Sequence, residues 1–277
     1  RHSWAQLADR VARLAGGLRS LGVKDGDRVA ILALNSDRYL EFLFAVPWAG
    51  AVFVPVNTRL APPEIAYWLN DSGSEFLFVD DTFVPMLEAL DGKMASVRQV
   101  VYLGDDAAPN GLHDYESLIE GQPPIPDAGR RGDDLAGLFY TGGTTGVSKG
   151  VMMSQTNLVM NALNVTPIFG IDRWTNWLHA APMFHMADGA GAFAVAMAAG
   201  SHCFIPGFEP TAAMAAIQQY RPNHSVLVPT MVNMIVNHPA VGDYDISSLK
   251  HVLYGAAPMP APVLERALQL MPGISFI

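Results

Sequence analysis

The densest chemistry in the chain is the run YTGGTTGVSKG, Tyr140 to Gly150. Four glycines, three threonines, a serine and a lysine share one connection between two apolar segments. Glycine lets backbone N–H groups turn toward a bound anion, and hydroxyls add donors or a magnesium ligand. Lys149 supplies a mobile cation for phosphate oxygens. A plain hairpin loop has a similar composition, because Gly and Thr are common turn residues. Two better-known phosphate loops are excluded by spacing. A Walker A loop needs Gly-Lys-Ser/Thr, whereas Lys149 lies between Ser148 and Gly150. A dinucleotide fingerprint opens a helix after the first strand, yet the first such turn, around Asn35 and Ser36, has no glycine.

Three further stretches could do chemistry. His185 stands in APMFHMADG (181–189) between Phe184 and Met186, where a histidine is more often packed than reactive. Gly255, Ala256, Ala257 and Pro258 follow the apolar HVLYG; small side chains there let an aromatic base approach the backbone, and an ordinary strand-to-helix turn has the same composition. Val228, Pro229, Thr230 and Met231 read as a core strand end, and Trp174 and Trp177 as core or as packing nearby. His179, His202, His224, His238 and His251 show no metal-ligand spacing, and the 13 methionines are scattered as packing residues are.

The elements that must position these residues are legible as alternating helices and strands. Trp4, Leu7, Val11, Leu14, Leu18 and Leu21 share one helical face, with Ser3 and Gln6 as a capping box and Gly22 as the stop. Strands follow at 28–34, 51–56, 76–80 and 97–103, with a helix capped by Ser36 and another opened by Pro62 and Pro63. Residues 104–134 turn polar and rich in Gly, Pro and Asp, apart from a short helix near Tyr115–Ile119, and mark the expected subdomain boundary. Strands are then expected at 135–140, 150–153, 177–181, 202–206, 224–228 and 250–254. Helices are expected at 155–165, 187–199, 210–220, 229–237 and 261–271. Such alternation implies an α/β fold of mostly parallel sheets covered by helices.

Composition bounds the rest. A net charge of -9 from 17 basic and 26 acidic residues argues against a nucleic-acid partner but leaves room for a nucleotide held by local donors. Cys203 alone forms no internal disulfide, the opening RHSWAQLADR is no signal peptide, and the apolar stretch Ala190–Ala199 is too short to span a bilayer. A cytoplasmic protein without a transmembrane segment is the expectation. The chain opens without an initiator Met and closes on GISFI, which reads as half a strand, so a truncated chain is expected.

Taken together, the motifs resemble the adenylate-forming superfamily of acyl-CoA synthetases. Tyr140–Gly150 is similar to its phosphate loop YTSGTTGxPKG, departing at Gly142 for Ser and at Ser148 for Pro. HSWAQLADRVARLAGGL, AVPWAGAVFVPVNTRL, APMFHMADG and YGAAPMP resemble further family segments in the family's order. The resemblance implies the large N-terminal domain of that fold over 1–277, two mostly parallel sheets with helices in a layered sandwich, without the small C-terminal domain. It implies activation of a fatty or aromatic carboxylic acid by ATP to acyl-AMP and then to a coenzyme A thioester, with an incomplete chain inactive by itself. It assigns catalysis to Lys149, His185 and Thr144, and magnesium to Thr144 or Thr145. Nucleotide contacts fall to Thr141, Gly142, Gly143, Thr144, Thr145, Gly146, Ser148, Lys149 and Gly150, with Gly255–Pro258 at the adenine. Acid contacts fall to His185, Val228, Pro229 and Thr230. His185, where amino-acid-activating relatives carry Asp, implies a substrate without an α-ammonium group. Gly207 stands where the family often carries a basic residue for coenzyme A. Two other readings stay open: an adenylating enzyme whose acceptor is a carrier protein or, as in luciferases, oxygen, and a non-catalytic nucleotide-binding module. A homodimer is compatible with the sequence, which does not itself specify an oligomeric state.

Overall fold

The computed structural model describes residues 2–142 and 146–277, and the chain divides into two compact units. The first contains the residues up to Leu34 and Arg38–Leu158; the second contains Asn35–Asp37 and Val159–Ile277.

The first unit begins with α1 (Trp4–Ser20), whose capping box forms as expected: the Gln6 amide donates to Ser3 Oγ and the Ser3 amide to Gln6 Oε1. Gly22 then takes φ +90°, and the chain turns away from the helix. There follow β1 (Arg28–Leu32), α2 (Asp37–Trp48), β2 (Val52–Pro55), α3 (Pro62–Ser72), β3 (Ser74–Val79), α4 (Met86–Leu90), β4 (Gln99–Tyr102), β5 (His113–Asp114), α5 (Tyr115–Glu120), β6 (Leu135–Thr141) and β7 (Lys149–Ser154). The sheet order is β5-β4-β3-β1-β2-β6-β7, with parallel pairings except the antiparallel β6–β7 hairpin at one edge. The central strands read as continuous apolar runs because they are buried on both faces, β2 at every position and β1 at all but its first.

Residues 104–134, the expected boundary, lie inside this first unit, while the division between units falls at Leu158. Their polarity is misleading because the segment is tied down by backbone groups and charges. The Ile125 amide donates to Ala12 O, Arg13 Nη1 to Gln122 O, and Trp48 Nε1 to Ile125 O. Gly16 and Gly17 make the approach to α1 possible: a Cβ on either would stand 3.0 Å from the carbonyl oxygen of Pro123 or Leu118. A charge cluster completes the anchor. Arg10 bridges Glu41 and Glu116, Arg38 also bonds Glu116, and the Tyr115 hydroxyl donates to buried Glu41 at 2.6 Å.

α6 (Gln155–Ile168) runs on into the second unit, which holds β8 (Asn176–His179), α7 (Met186–Met197), β9 (Ser201–Phe204), α8 (Pro210–Tyr220), β10 (His224–Val226), α9 (Pro229–Val236), β11 (His251–Leu253), α10 (Ala261–Leu270) and β12 (Ser275–Phe276). Its sheet has the order β12-β11-β10-β8-β9, every pairing parallel. Strands end earlier here than the apolar runs suggest. β10 stops at Val226 because Pro229 opens the next helix, and β8 stops at His179 because the following residues turn away. No helix among the described residues is long and apolar enough to cross a membrane.

Candidate functional site

The Tyr140–Gly150 run closes the β6–β7 hairpin, with Tyr140 opposite Gly150 and Thr141 opposite Lys149. Thr141, Gly142, Gly146 and Lys149 are exposed, and Ser148 and Gly150 half-buried. Gly143, Thr144 and Thr145 lie outside the described residues, as therefore do the expected magnesium ligands. Gly146 has φ +96°, a conformation that glycine adopts without steric cost.

The base of the hairpin is buttressed by α3. The Tyr140 hydroxyl donates to Asp71 Oδ2 at 2.7 Å, its ring stacks on Trp68 with centroids 4.7 Å apart, and the Tyr67 hydroxyl donates to Ser148 O at 3.3 Å. Burial, and then the Asp71 carboxylate, push the Tyr140 phenol well above its ordinary pKa, so it remains a donor. Gly150 leaves space for this ring: a Cβ there would stand 3.1 Å from Tyr140 Cε2. Tyr67, Trp68 and Asp71 were not singled out in the sequence. Their partners lie far along the chain, 69 positions for Asp71 and 81 for Tyr67, and no local pattern marks such a pairing.

In the second unit three of the expected segments leave the same end of the sheet. His185 follows β8, Val228–Thr230 follow β10, and Gly255–Pro258 follow β11, so all three leave the carboxyl ends of neighbouring parallel strands. That edge of an open α/β sheet is where ligands bind, because the loops there converge and helix N-termini point at them. His185 is exposed at the N-cap of α7, with its side chain making no cap bond, whereas Met183 and Phe184 are buried. The packing role expected for a lone histidine thus falls to its neighbours. Pro229 is buried as the first residue of α9 and Met231 joins the core, leaving Val228 half-buried and Thr230 exposed.

Gly255–Pro258 are exposed, and Ala256 has φ +67°. The other two non-glycine residues with positive φ among those described, Ala199 and Arg221, terminate α7 and α8. Ala256 closes no helix, and strain of this kind concentrates at functional turns.

The remaining candidates are structural or surface residues. Trp177 is a fully buried core residue, whereas Trp174 is exposed with the Arg173 guanidinium 4.5 Å above its ring. His179 bonds Asp188 and His202, His224 bonds Phe169 O and stacks on His251, and His238 accepts from the Ala240 amide. Two buried polar residues to which the sequence reading gave no role at the site, Asn35 and Asp188, bond within or beside the segment that carries His185.

The sequence matches the model of the AMP-binding enzyme family over residues 1–277. It is 38% identical over 277 residues to a feruloyl-CoA synthase of an Amycolatopsis species, covering 99% of this chain and 53% of that protein. It is 36% identical over 268 residues to an indoleacetate–CoA ligase of Aromatoleum aromaticum, covering 95% and 52%. Among solved structures, the N-terminal domain of FACL13 from Mycobacterium tuberculosis superposes with a TM-score of 0.87 at 26% identity, over 98% of this chain and 67% of that one. The chain spans about half the length of the curated relatives it matches.

Proposed function

The chain belongs to the AMP-binding enzyme family, and from that premise we propose that it takes part in ATP-dependent activation of a fatty or aromatic carboxylic acid. A carboxylate oxygen attacks the α-phosphorus of ATP, the bond to the bridging β-oxygen breaks, and pyrophosphate leaves with that electron pair. The sulfur of coenzyme A then attacks the acyl carbon of the mixed anhydride and AMP departs. The feruloyl and indoleacetate relatives support an aromatic acid, and the protein is read as acting without nucleic acid and in the cytoplasm.

The physical obstacle is the approach of one anion to another. Lys149, exposed at the mouth of the β6–β7 hairpin, supplies a cation for phosphate oxygens, and the hairpin's backbone N–H groups add donors. His185 offers an imidazole N–H at the N-cap of α7, the positive end of a 12-residue helix, where developing negative charge is stabilised. Magnesium, when bound, further neutralises the phosphates, with Thr144 or Thr145 as its proposed hydroxyl ligand. Gly255–Pro258 offer the adenine a surface without bulky side chains.

The observation that carries this reading is that His185, Thr230 and Gly255–Pro258 each follow the carboxyl end of one of three adjacent parallel strands, in a chain matching the family model over residues 1–277. The test is incubation of the full-length protein with ATP, magnesium and a panel of fatty, cinnamic and indole-acetic acids, followed by mass spectrometry. Acyl-AMP is expected first, and acyl-CoA on adding coenzyme A. Nucleotide binding with no acyl-AMP from any acid would identify a non-catalytic module. Acyl-AMP transferred only to a carrier-protein thiol would identify the other acceptor class.

A further inference from the structure

Two buried polar side chains grip the segment that presents His185, one on each side. Asn35, 6% exposed, donates through Nδ2 to His179 O at 3.2 Å and to Ala181 O at 2.9 Å, while its Oδ1 accepts from the Met183 amide at 2.8 Å. One amide thus satisfies three backbone groups where β8 ends and the chain turns. Left unpaired at this depth, each of those groups would carry its full desolvation cost.

Beyond His185, Asp188 in the first turn of α7 is fully buried. Its Oδ1 accepts from Trp177 Nε1 at 3.2 Å and its Oδ2 lies 2.6 Å from His179 Nδ1. A carboxylate only accepts, which places the His179 proton on Nδ1. His179 Nε2 lies 2.9 Å from His202 Nδ1, so the ring is held on both sides. Gly191, one turn further along α7, seats the helix on the same indole; a Cβ there would stand 2.5 Å from Trp177 Cζ2.

Between these grips His185 itself is exposed, two residues from Met183 and three from Asp188. Its amide donates to Pro182 O at 3.0 Å, and its carbonyl accepts from the Asp188 and Gly189 amides at 3.1 and 2.8 Å. The backbone carrying the imidazole is fixed, and the exposed ring lies beside Phe184 with centroids 5.5 Å apart, open to a ligand on its solvent side.

We infer that Asn35 and Asp188 are positioning residues, acting on the reaction through His185 by fixing the 179–188 segment. This rests on the reading of His185 given above. A side chain placed by groups that are themselves locked holds its geometry, and a misplacement of 1 Å costs about 100-fold in rate.

The test is a double-mutant cycle in the full-length protein, reading pyrophosphate release at saturating ATP. Asn35→Ala and Asp188→Asn should each lower kcat about 10- to 100-fold, with little change in KM for the acid. In a His185→Ala background the same changes should add less than about twofold, because the group they position is gone. Losses that multiply in full would show that the two residues only maintain the fold, and would overturn the inference while leaving His185 in place. An unaltered rate in His185→Ala alone would instead remove the reading of His185, and this inference with it. Where the variants fail to fold, amide hydrogen exchange on the unaltered protein decides. The Met183 amide should be protected like those of β8, and exchange as fast as in Gly146–Ser148 would overturn the grip.

Discussion

Lys149 and Ala256 carry unequal risks at the scale of single residues. Lys149 is an exposed cation on an edge strand, so its loss costs the fold little. Its proposed value lies where charge grows in the transition state. Lys149→Ala should slow adenylation by roughly tenfold to a thousandfold with thermal stability unchanged; pyrophosphate release at saturating ATP reads the first and calorimetry the second. Ala256 presents the reverse case. At φ +67° a methyl side chain is tolerated, but a β-branched one meets its own backbone. Ala256→Val should lower stability by about 1–2 kcal/mol, measured by urea unfolding, and Ala256→Gly should not.

Between elements, the tie that matters most in the first unit is the cluster joining α1, α2 and α5. Burial alone would raise the Glu116 carboxyl, but hydrogen bonds and charge from Arg10, and then Arg38, outweigh it and hold it below its ordinary value. The folded protein therefore binds fewer protons at Glu116 than the unfolded chain does. The resulting stabilisation is fully present above the ordinary glutamate value of about 4.3 and fades as pH falls through the lowered folded value. Glu116→Gln should cost on the order of 1 kcal/mol at pH 7, a modest figure because the side chain keeps part of its exposure. The two proteins should converge only once pH has fallen below that lowered folded value. Melting temperatures followed from pH 7 to 3 check this, and a gap that persists in acid would assign the effect to shape rather than charge.

Across the whole molecule, what the sequence made legible follows from how far each pattern reaches along the chain. Helix α1 announced itself because its apolar stripe, cap and stop lie within 20 residues. The parallel strands did so because sheets covered on both faces are written as apolar runs, β1 and β2 among them. Residues 104–134 did not, since what fixes them is Arg10, Arg13, Glu41 and Trp48, far away in the chain, while locally they look like a linker. At the candidate site the motif residues were visible as motifs. Tyr67, Asp71, Asn35 and Asp188 were not, because a buttress is defined by what it reaches and not by its neighbours in sequence.

Asn35 carries this furthest. It reaches partners 144, 146 and 148 residues downstream, and belongs with Ser36 and Asp37 to a unit otherwise composed of Val159–Ile277. During synthesis its amide emerges long before the backbone groups it serves, so the turn after β8 can settle only once the residues through Met183 have followed it. The same arrangement governs recombination between relatives. Exchanging residues 159–277 for a counterpart transfers all five strands of the second sheet, yet the turn that presents His185 is still held by whatever residue the recipient carries at position 35.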